Sequence, residues 1–498
     1  MTVTLEQKSP AIGQDIASSV PHGLFIDGQW RPAADGSEFD VRDPCTGEVI
    51  ARLANARPSD AMDALDAADA AFASWSRTPA RERGELLRRV FDLVMRDRDR
   101  IAEIITLEMG KPLREAQAEV TYGGEFLRWF SEEAVRISGR FGSSPEGNGD
   151  MIVSRHALGP ALLITPWNFP LAMATRKIAP ALAAGCTVVV KPAALTPLTT
   201  LYLTALFEEA GLPPGVVNVI PTTDSGGTTG PIIADSRLRK ISFTGSTPVG
   251  RMLLEKASVN ILRTSMELGG NAPFLVFEDA DLDRAVEGAI IAKFRNVGQA
   301  CTAANRFIVH ASVAEEFSRR VAERVAQFKL GSGFDPEVTI GPLIDEAAAS
   351  SVDALVKDAT ARGAKVLVGG QRKSGPGTFY EPTVLTNVSP DSRICREEIF
   401  GPVLPIMTFE TDDEAIRIAN DTEYGLVGYI FTQSITRGQR LINDLQTGMM
   451  GWNVGMLSNA AAPFGGVKMS GLGREGGAEG IDEYLTTKYS LLPTLPRP

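Results

Sequence analysis

Cys301 stands in the run Phe294–Arg306, FRNVGQACTAANR, among small residues that leave room for a substrate beside a thiol. A thiolate is a strong nucleophile, yet a free thiol titrates at about 8.5 and is mostly protonated at neutral pH unless its surroundings lower that value. On residue type alone a buried structural cysteine is the commoner outcome. The neighbouring motifs favour the reactive one. The segment MELGGNAP, 266–273, sets Glu267 in a glycine-flanked turn from which a carboxylate could swing. Alone it reads as a surface glutamate; paired with a cysteine nucleophile it is a base able to activate water. The three histidines, His22, His156 and His310, are scattered, so a general base is expected to be a carboxylate. In TPWNFP, 165–170, Asn168 reads either as a turn residue or as an amide donor to an oxyanion, a contribution of ~3 kcal/mol.

Two further segments suit a nucleotide. Lys191, in KPA, ends the apolar run CTVVV, where an ammonium could meet a ribose or phosphate. FTGSTPVG, 243–250, follows KIS and opens a predicted helix, a place for a pyrophosphate. Its G-x-x-x-x-G spacing is not the usual dinucleotide fingerprint. The four cysteines, Cys45, Cys186, Cys301 and Cys395, show no CxxC spacing, so no metal site is expected and free thiols in a reducing compartment are.

The elements that must position these residues alternate. ALLIT (161–165), CTVVVKP (186–192), VVNVI (216–220) and KISFTG (240–245) read as strands, with helices over 171–184, 197–210 and 247–257 between and after them. That rhythm predicts βαβ units and a parallel sheet with the distinctive residues at strand ends, where such sheets bind ligands. A second α/β region follows: strand 273–277, helix 281–297, strand 307–310, helix 312–328, strand 364–370 and helix 412–420. Earlier, residues 1–20 read as a loose tail and 23–57 as short strands. Ser59 is expected to cap a helix through Phe72, with further helices over 80–109 and 113–137. The stretch 480–492 reads as a strand without a partner in its own domain, which a second subunit would satisfy.

At 498 residues, 44% hydrophobic and 22% charged, the chain has the composition of a globular protein with two or three domains. A net charge of −11 without a Lys/Arg run disfavours nucleic acid. The longest apolar run, 178–190, is too short to span a bilayer, so no membrane role is expected. No signal peptide is expected either, which leaves a cytoplasmic location by default.

Taken in order, PWNFP, KPA, FTGS, ELGG, GQAC, EEIFGPV (397–403) and PFGGVKMSGLGRE (463–475) resemble the aldehyde dehydrogenase superfamily over residues 20–490. The resemblance implies an α/β fold with a Rossmann-type cofactor domain (20–130 and 151–262), an α/β catalytic domain (263–475) and a small β oligomerisation element (131–150 and 476–498). It implies a thioester mechanism with Cys301 as nucleophile, Asn168 and the Cys301 N–H as oxyanion donors, and Glu267 activating water. Trp167, Lys191, Ala194, Gly245, Ser246, Leu268, Glu398 and Phe400 match cofactor positions. Lys177 matches a position tied to proton handling, and Glu475 falls in a C-terminal motif. NAD-preferring relatives carry a glutamate at the position of Ala194, so NADP is expected to be preferred, with NAD as the other cofactor.

Segments such as 129–139, 168–186 and the GLGREGG ending are similar to succinate-semialdehyde dehydrogenases, which hold the distal carboxylate with two arginines and a serine; the matching residues are Arg176, Arg295 and Ser458. Ion pairs to nearby acids are the other reading of those arginines. Other aldehydes, including glutarate semialdehyde, and a catalytically retired binding protein are the alternatives. Where some relatives carry a second cysteine, this chain has Ala303, so no local disulfide switch is expected. The loop MLSNAAAP departs from relatives at Asn459 and the alanines. A homodimer or homotetramer is implied.

Overall fold

The computed structural model describes residues 9–493. Its strands form an eight-stranded sheet, a seven-stranded sheet, a three-stranded sheet and one hairpin. The eight-stranded sheet has five parallel strands at its centre: Arg263–Glu267, Lys240–Thr244, Ala161–Ile164, Val188–Lys191 and Val217–Val219, in that spatial order. Their side chains are almost all buried, as expected of runs covered by helices on both faces. From Ala161–Ile164 the chain builds outward in one direction, then returns to add Lys240–Thr244 on the other side. The crevice beyond the carboxyl ends at that reversal is where such sheets take ligands. It receives Trp167 and Asn168 from one strand and Gly245 and Ser246 from the next.

The seven-stranded sheet has Ala272–Val276 and Ala304–His310 at its centre, paired in parallel, with Phe274 stacked on Phe431 at 4.7 Å in its core. These two strands carry the glycine turn after Glu267 and the segment after Cys301 into the same interior. The strand Arg263–Glu267, which the expected boundary assigned to the catalytic part, is hydrogen-bonded in the eight-stranded sheet.

Several local expectations change. The unpartnered tail strand is partnered: Leu485–Pro493 pairs antiparallel with Gly149–Ala157 along its whole length, in a sheet completed by Arg140–Ser143. The loose N-terminal tail contains the helix Ser9–Ser18, anchored by buried Ile16 and Ala17; residues 1–8 lie outside the described residues. The helix Pro58–Trp75 is capped at Arg57, not Ser59: Asp60 accepts the Arg57 N–H at 2.9 Å, and Pro58 at the first turn has no N–H to leave unpaired. The helix predicted over 80–109 is two, Ala80–Arg96 and Arg98–Met109, parted at Asp97, whose carboxylate engages Arg96 and the Tyr202 hydroxyl.

Candidate active site

The segment before Cys301 is held in an unusual backbone. After the helix Leu282–Phe294, three consecutive residues are left-handed: Asn296 (φ 56°), Val297 (φ 59°) and Gly298 (φ 73°). Outside glycine that conformation costs roughly 1–2 kcal/mol per residue, and a β-branched valine bears it poorly. The turn reverses the chain and delivers Cys301, half-buried, beneath the turn that follows Glu267. The approach is close: a Cβ on Gly270 would lie 2.7 Å from the Cys301 carbonyl oxygen. Burial pushes the Cys301 thiol up to about 12, against the pull of Arg176, so the resting side chain is a thiol that needs a base. The Cys301 N–H has no protein acceptor among the described residues.

Asn168 is buried beside it. Its Nδ2 donates to the Gln299 carbonyl at 2.9 Å, which leaves one amide hydrogen uncommitted. Its own carbonyl oxygen accepts from Lys111 Nζ at 2.8 Å and from Asn296 Nδ2 at 3.0 Å.

Glu267 is not in a flexible surface turn. It is the last residue of the strand Arg263–Glu267, 3% exposed, and neither carboxyl oxygen has a hydrogen-bond partner. Burial, with Glu475 beside it, pushes its carboxyl well above the usual range, while Arg176 and Lys177 pull it back. Glu475 is the opposite case. Burial acts on it too, but Lys177 and Arg176 outweigh that and hold it ionised. Gly465 makes room for Glu267: a Cβ there would lie 2.9 Å from Glu267 Oε1.

A cavity of about 240 Å³ opens on one side of Cys301, lined by Trp167, Asn168, Gly245, Ser246, Leu268, Cys301, Glu398 and Phe400. Ser246 precedes the helix Thr247–Ser258, and a helix N-terminus is a place for an anion. Trp167 and Phe400 meet edge to face at 5.4 Å, and Glu398 accepts the Gly270 N–H at 3.2 Å. Burial raises Glu398 to about 7. Lys191 is buried at its strand end with no hydrogen bond or ion pair to Nζ among the described residues, and burial lowers it to about 8. Neither it nor Ala194 lines this cavity. Ala194 instead borders a separate cleft of about 430 Å³ with Asp40, Arg42 and Asp345.

On the other side lies a cavity of about 650 Å³ that includes Lys111, Glu115, Tyr122, Phe169, Arg295 and Ser458. Phe169, Met173, Ala300 and Ala303, with Tyr122, pack as an apolar wall between the two cavities. Arg295 makes no ion pair among the described residues and rests 5.4 Å over the Phe169 ring. Arg176 does not line this cavity. It is buried behind Tyr122, ion-paired with Glu475 and 4.1 Å over the Phe464 ring, while Nη1 finds no acceptor in hydrogen-bonding geometry.

Residues 30–490 match the profile described as the aldehyde dehydrogenase family. The chain belongs to that family. It is 57% identical to a succinate-semialdehyde dehydrogenase of Paenarthrobacter nicotinovorans, over 89% of this chain and 98% of the relative. It is 45% identical to a 3-sulfolactaldehyde dehydrogenase of Pseudomonas putida, over 98% of this chain and 99% of that one. Among solved structures, a succinate-semialdehyde dehydrogenase from Burkholderia pseudomallei superposes with a TM-score of 0.94 at 46% identity, covering 96% of this chain and 99% of the other. This aldehyde dehydrogenase is therefore an oxidoreductase with an α/β fold.

Sequence reasoning passed over several residues of this aldehyde dehydrogenase's site. Lys111 falls in the gap between the helices expected over 80–109 and 113–137, where it reads as a helix terminator, but it is fully buried and paired with Glu119 at 2.6 Å. Asn296 and Gln299 read as the flanks of the cysteine. A lysine between glycine and proline, next to a helix start, was the one available signal for the first. Among the described residues no helix is long and apolar enough to cross a membrane, and no cluster of metal ligands is present.

Proposed function

We propose that this enzyme oxidises succinate semialdehyde to succinate through a thioester on Cys301, with NADP preferred over NAD. The observation that carries the substrate is Arg295: a partly buried guanidinium, without an ion pair among the described residues, in a cavity that also holds Ser458. Leaving such a charge unpaired is costly unless a ligand anion completes it. Arg176, with its unfilled Nη1 behind Tyr122, would supply the second positive charge. The relative named a 3-sulfolactaldehyde dehydrogenase takes its name from another anionic aldehyde, which supports an anionic substrate.

In this reading Cys301 Sγ, losing its proton, bonds to the aldehyde carbon. The Asn168 amide and the Cys301 N–H receive the carbonyl electrons as an oxyanion, whose collapse re-forms the carbonyl as the aldehyde hydrogen leaves as hydride, giving the thioester. Glu267, kept buried and without partners, takes a proton from the water that attacks the thioester. The acid then leaves and the thiol is restored. A raised carboxyl is a suitable base for this. Where the chain must meet a dinucleotide, its residues fit: an unpartnered buried Lys191, a helix start at Ser246, and a glycine at 245, where a Cβ would lie 2.4 Å from the Phe243 ring. Trp167, Leu268, Glu398 and Phe400 would enclose the nicotinamide end, and Ala194 would leave space and charge balance for a 2′-phosphate beside Lys191. When bound, that cofactor supplies the hydride acceptor.

We also assign the 20–130 and 151–262 segments to cofactor binding, 263–475 to catalysis, with its first strand Arg263–Glu267 lent to the eight-stranded sheet, and 131–150 with 476–498 to assembly. A homodimer or homotetramer suits the exposed Phe141 and Tyr489 on the three-stranded sheet. A cytoplasmic setting suits the free thiols.

The test is kcat/KM for succinate semialdehyde against butyraldehyde, which lacks only the carboxylate, with NADP and with NAD. A preference of about a hundredfold for the charged aldehyde is expected, given ~3 kcal/mol for a charge-assisted pair. Equal rates would remove the carboxylate reading. Ala194→Glu is expected to move the NADP/NAD ratio of kcat/KM towards NAD by about tenfold, one like-charge contact's worth; an unchanged ratio would refute the cofactor assignment.

A further inference from the structure

One side chain holds Asn168 from two directions. Asn296 Nδ2 donates to the Asn168 carbonyl oxygen at 3.0 Å and to the Gln299 carbonyl oxygen at 2.8 Å. The same Gln299 oxygen accepts from Asn168 Nδ2 at 2.9 Å. A closed ring results: Asn168 main chain, Asn296 amide, Gln299 main chain, Asn168 side chain. Both hydrogens of the Asn296 amide and both lone pairs of the Gln299 oxygen are used.

The ring is braced from outside. Lys111 Nζ occupies the other lone pair of the Asn168 carbonyl at 2.8 Å. Glu119 fixes Lys111, and its second oxygen accepts the Leu171 and Ala172 N–H groups at 3.0 and 3.3 Å, just past Asn168 in the chain. Asn296 is itself pinned. Its N–H donates to Glu115 at 2.6 Å, its carbonyl accepts the Gln299 N–H at 2.9 Å, and its left-handed φ is one that asparagine tolerates better than most residues. Asn168, Asn296, Gln299, Lys111 and Glu119 are buried, and Glu115 lines the larger cavity.

We propose that Asn296 is a positioning residue for the oxyanion donors. Its bridge sets the direction of the uncommitted Asn168 N–H relative to the Cys301 N–H, which lies two residues beyond Gln299. The inference rests on the reading of those two groups as the oxyanion donors. An amide freed to rotate would still bind aldehyde, but would meet the developing charge at a poorer angle, so the loss falls on the transition state and not on the ground state.

The experiment compares wild type, Asn296→Gly, Asn168→Ala and the double variant by rapid mixing with NADP and succinate semialdehyde. Labelling of Cys301 by iodoacetamide is followed in parallel by peptide mass. Glycine keeps the left-handed backbone and removes only the bridge. Asn296→Gly is expected to slow the first turnover by ~10–50-fold, with KM within about threefold and Cys301 labelling within about twofold. In the Asn168→Ala background the same substitution is expected to cost less than about twofold, because the group it aims is gone. Equal losses in both backgrounds, or an Asn296→Gly enzyme within about twofold of wild type, would overturn the inference. If the glycine variant does not fold, Asn296→Asp carries the same comparison, since it keeps size and backbone preference but donates no N–H. A wild type inactive on every aldehyde would overturn the functional reading instead, and an unimpaired Asn168→Ala would overturn the assignment of the oxyanion donor.

Discussion

Arg176 and Arg295 carry the same charge near the same cysteine, but among the described residues only Arg176 is ion-paired with a carboxylate. Arg176 lies deep, against Glu475 and the Phe464 ring, in the cluster that also holds Lys177 and Glu267. Arg295 lies at a cavity wall, over Phe169, and pairs with nothing among the described residues. Burial without a partner is far more costly for a charge at the centre than at a water-filled wall. The fold can therefore leave Arg295 for a ligand, whereas Arg176 must be largely neutralised before any ligand arrives. One arginine is chiefly structural with one donor to spare; the other is left free for the recognition role proposed above.

The contrast can be broken most forcefully at Arg176. Removing one member of a buried ion pair typically costs about 3–5 kcal/mol. Arg176→Met should lower the midpoint of thermal unfolding by several degrees and reduce activity on both charged and neutral aldehydes, more on the charged one. It should also displace the acidic limb of the kcat/KM profile to higher pH. Arg176 lowers the Glu267 carboxyl, so its loss raises that group further and the base form is reached later as pH increases. An unchanged melting midpoint would show that the pair with Glu475 is not structural.

Arg295→Ala should do the reverse, with stability and the rate on butyraldehyde nearly intact and kcat/KM for succinate semialdehyde down by about 30–200-fold, or ~2–3 kcal/mol. Parallel losses on both substrates would erase the division of labour between the arginines. Ser458→Ala should give the smallest change, about fivefold in KM for the charged aldehyde and none for the neutral one, as expected of one hydrogen bond worth ~1 kcal/mol. No change on either substrate would remove Ser458 from the recognition site and leave Arg295 with Arg176 alone.

Much of the site was legible because its signals are local. Asn168, Lys191 and Gly245 each follow a short apolar run closed by proline or glycine, and such runs become strands whose ends line the crevice whatever the distant chain does. The cysteine segment, with its small residues, could likewise be read in place. Other features could not. Glu267 looked mobile because two glycines follow it, but Gly269 serves close packing against Glu398 and Gly270 against Cys301, and the carboxylate is walled in by segments from residues 465 and 475. Lys111 looked like a helix terminator because its two acceptors, Glu119 and the Asn168 carbonyl, are brought to it only by packing.

By itself the sequence determined the alternating strands and helices, the residue types of the reacting groups and the strand ends that carry several of them, since these follow from nearest neighbours along the chain. Only the tertiary structure decided which arginine is paired, that Glu267 has no partner, that the tail strand finds Gly149–Ala157, and that Asn296 ties Asn168 to the cysteine loop. Each of these is a choice among partners far apart in sequence. It is settled by which charges and amides the whole fold buries together, a quantity no local stretch contains.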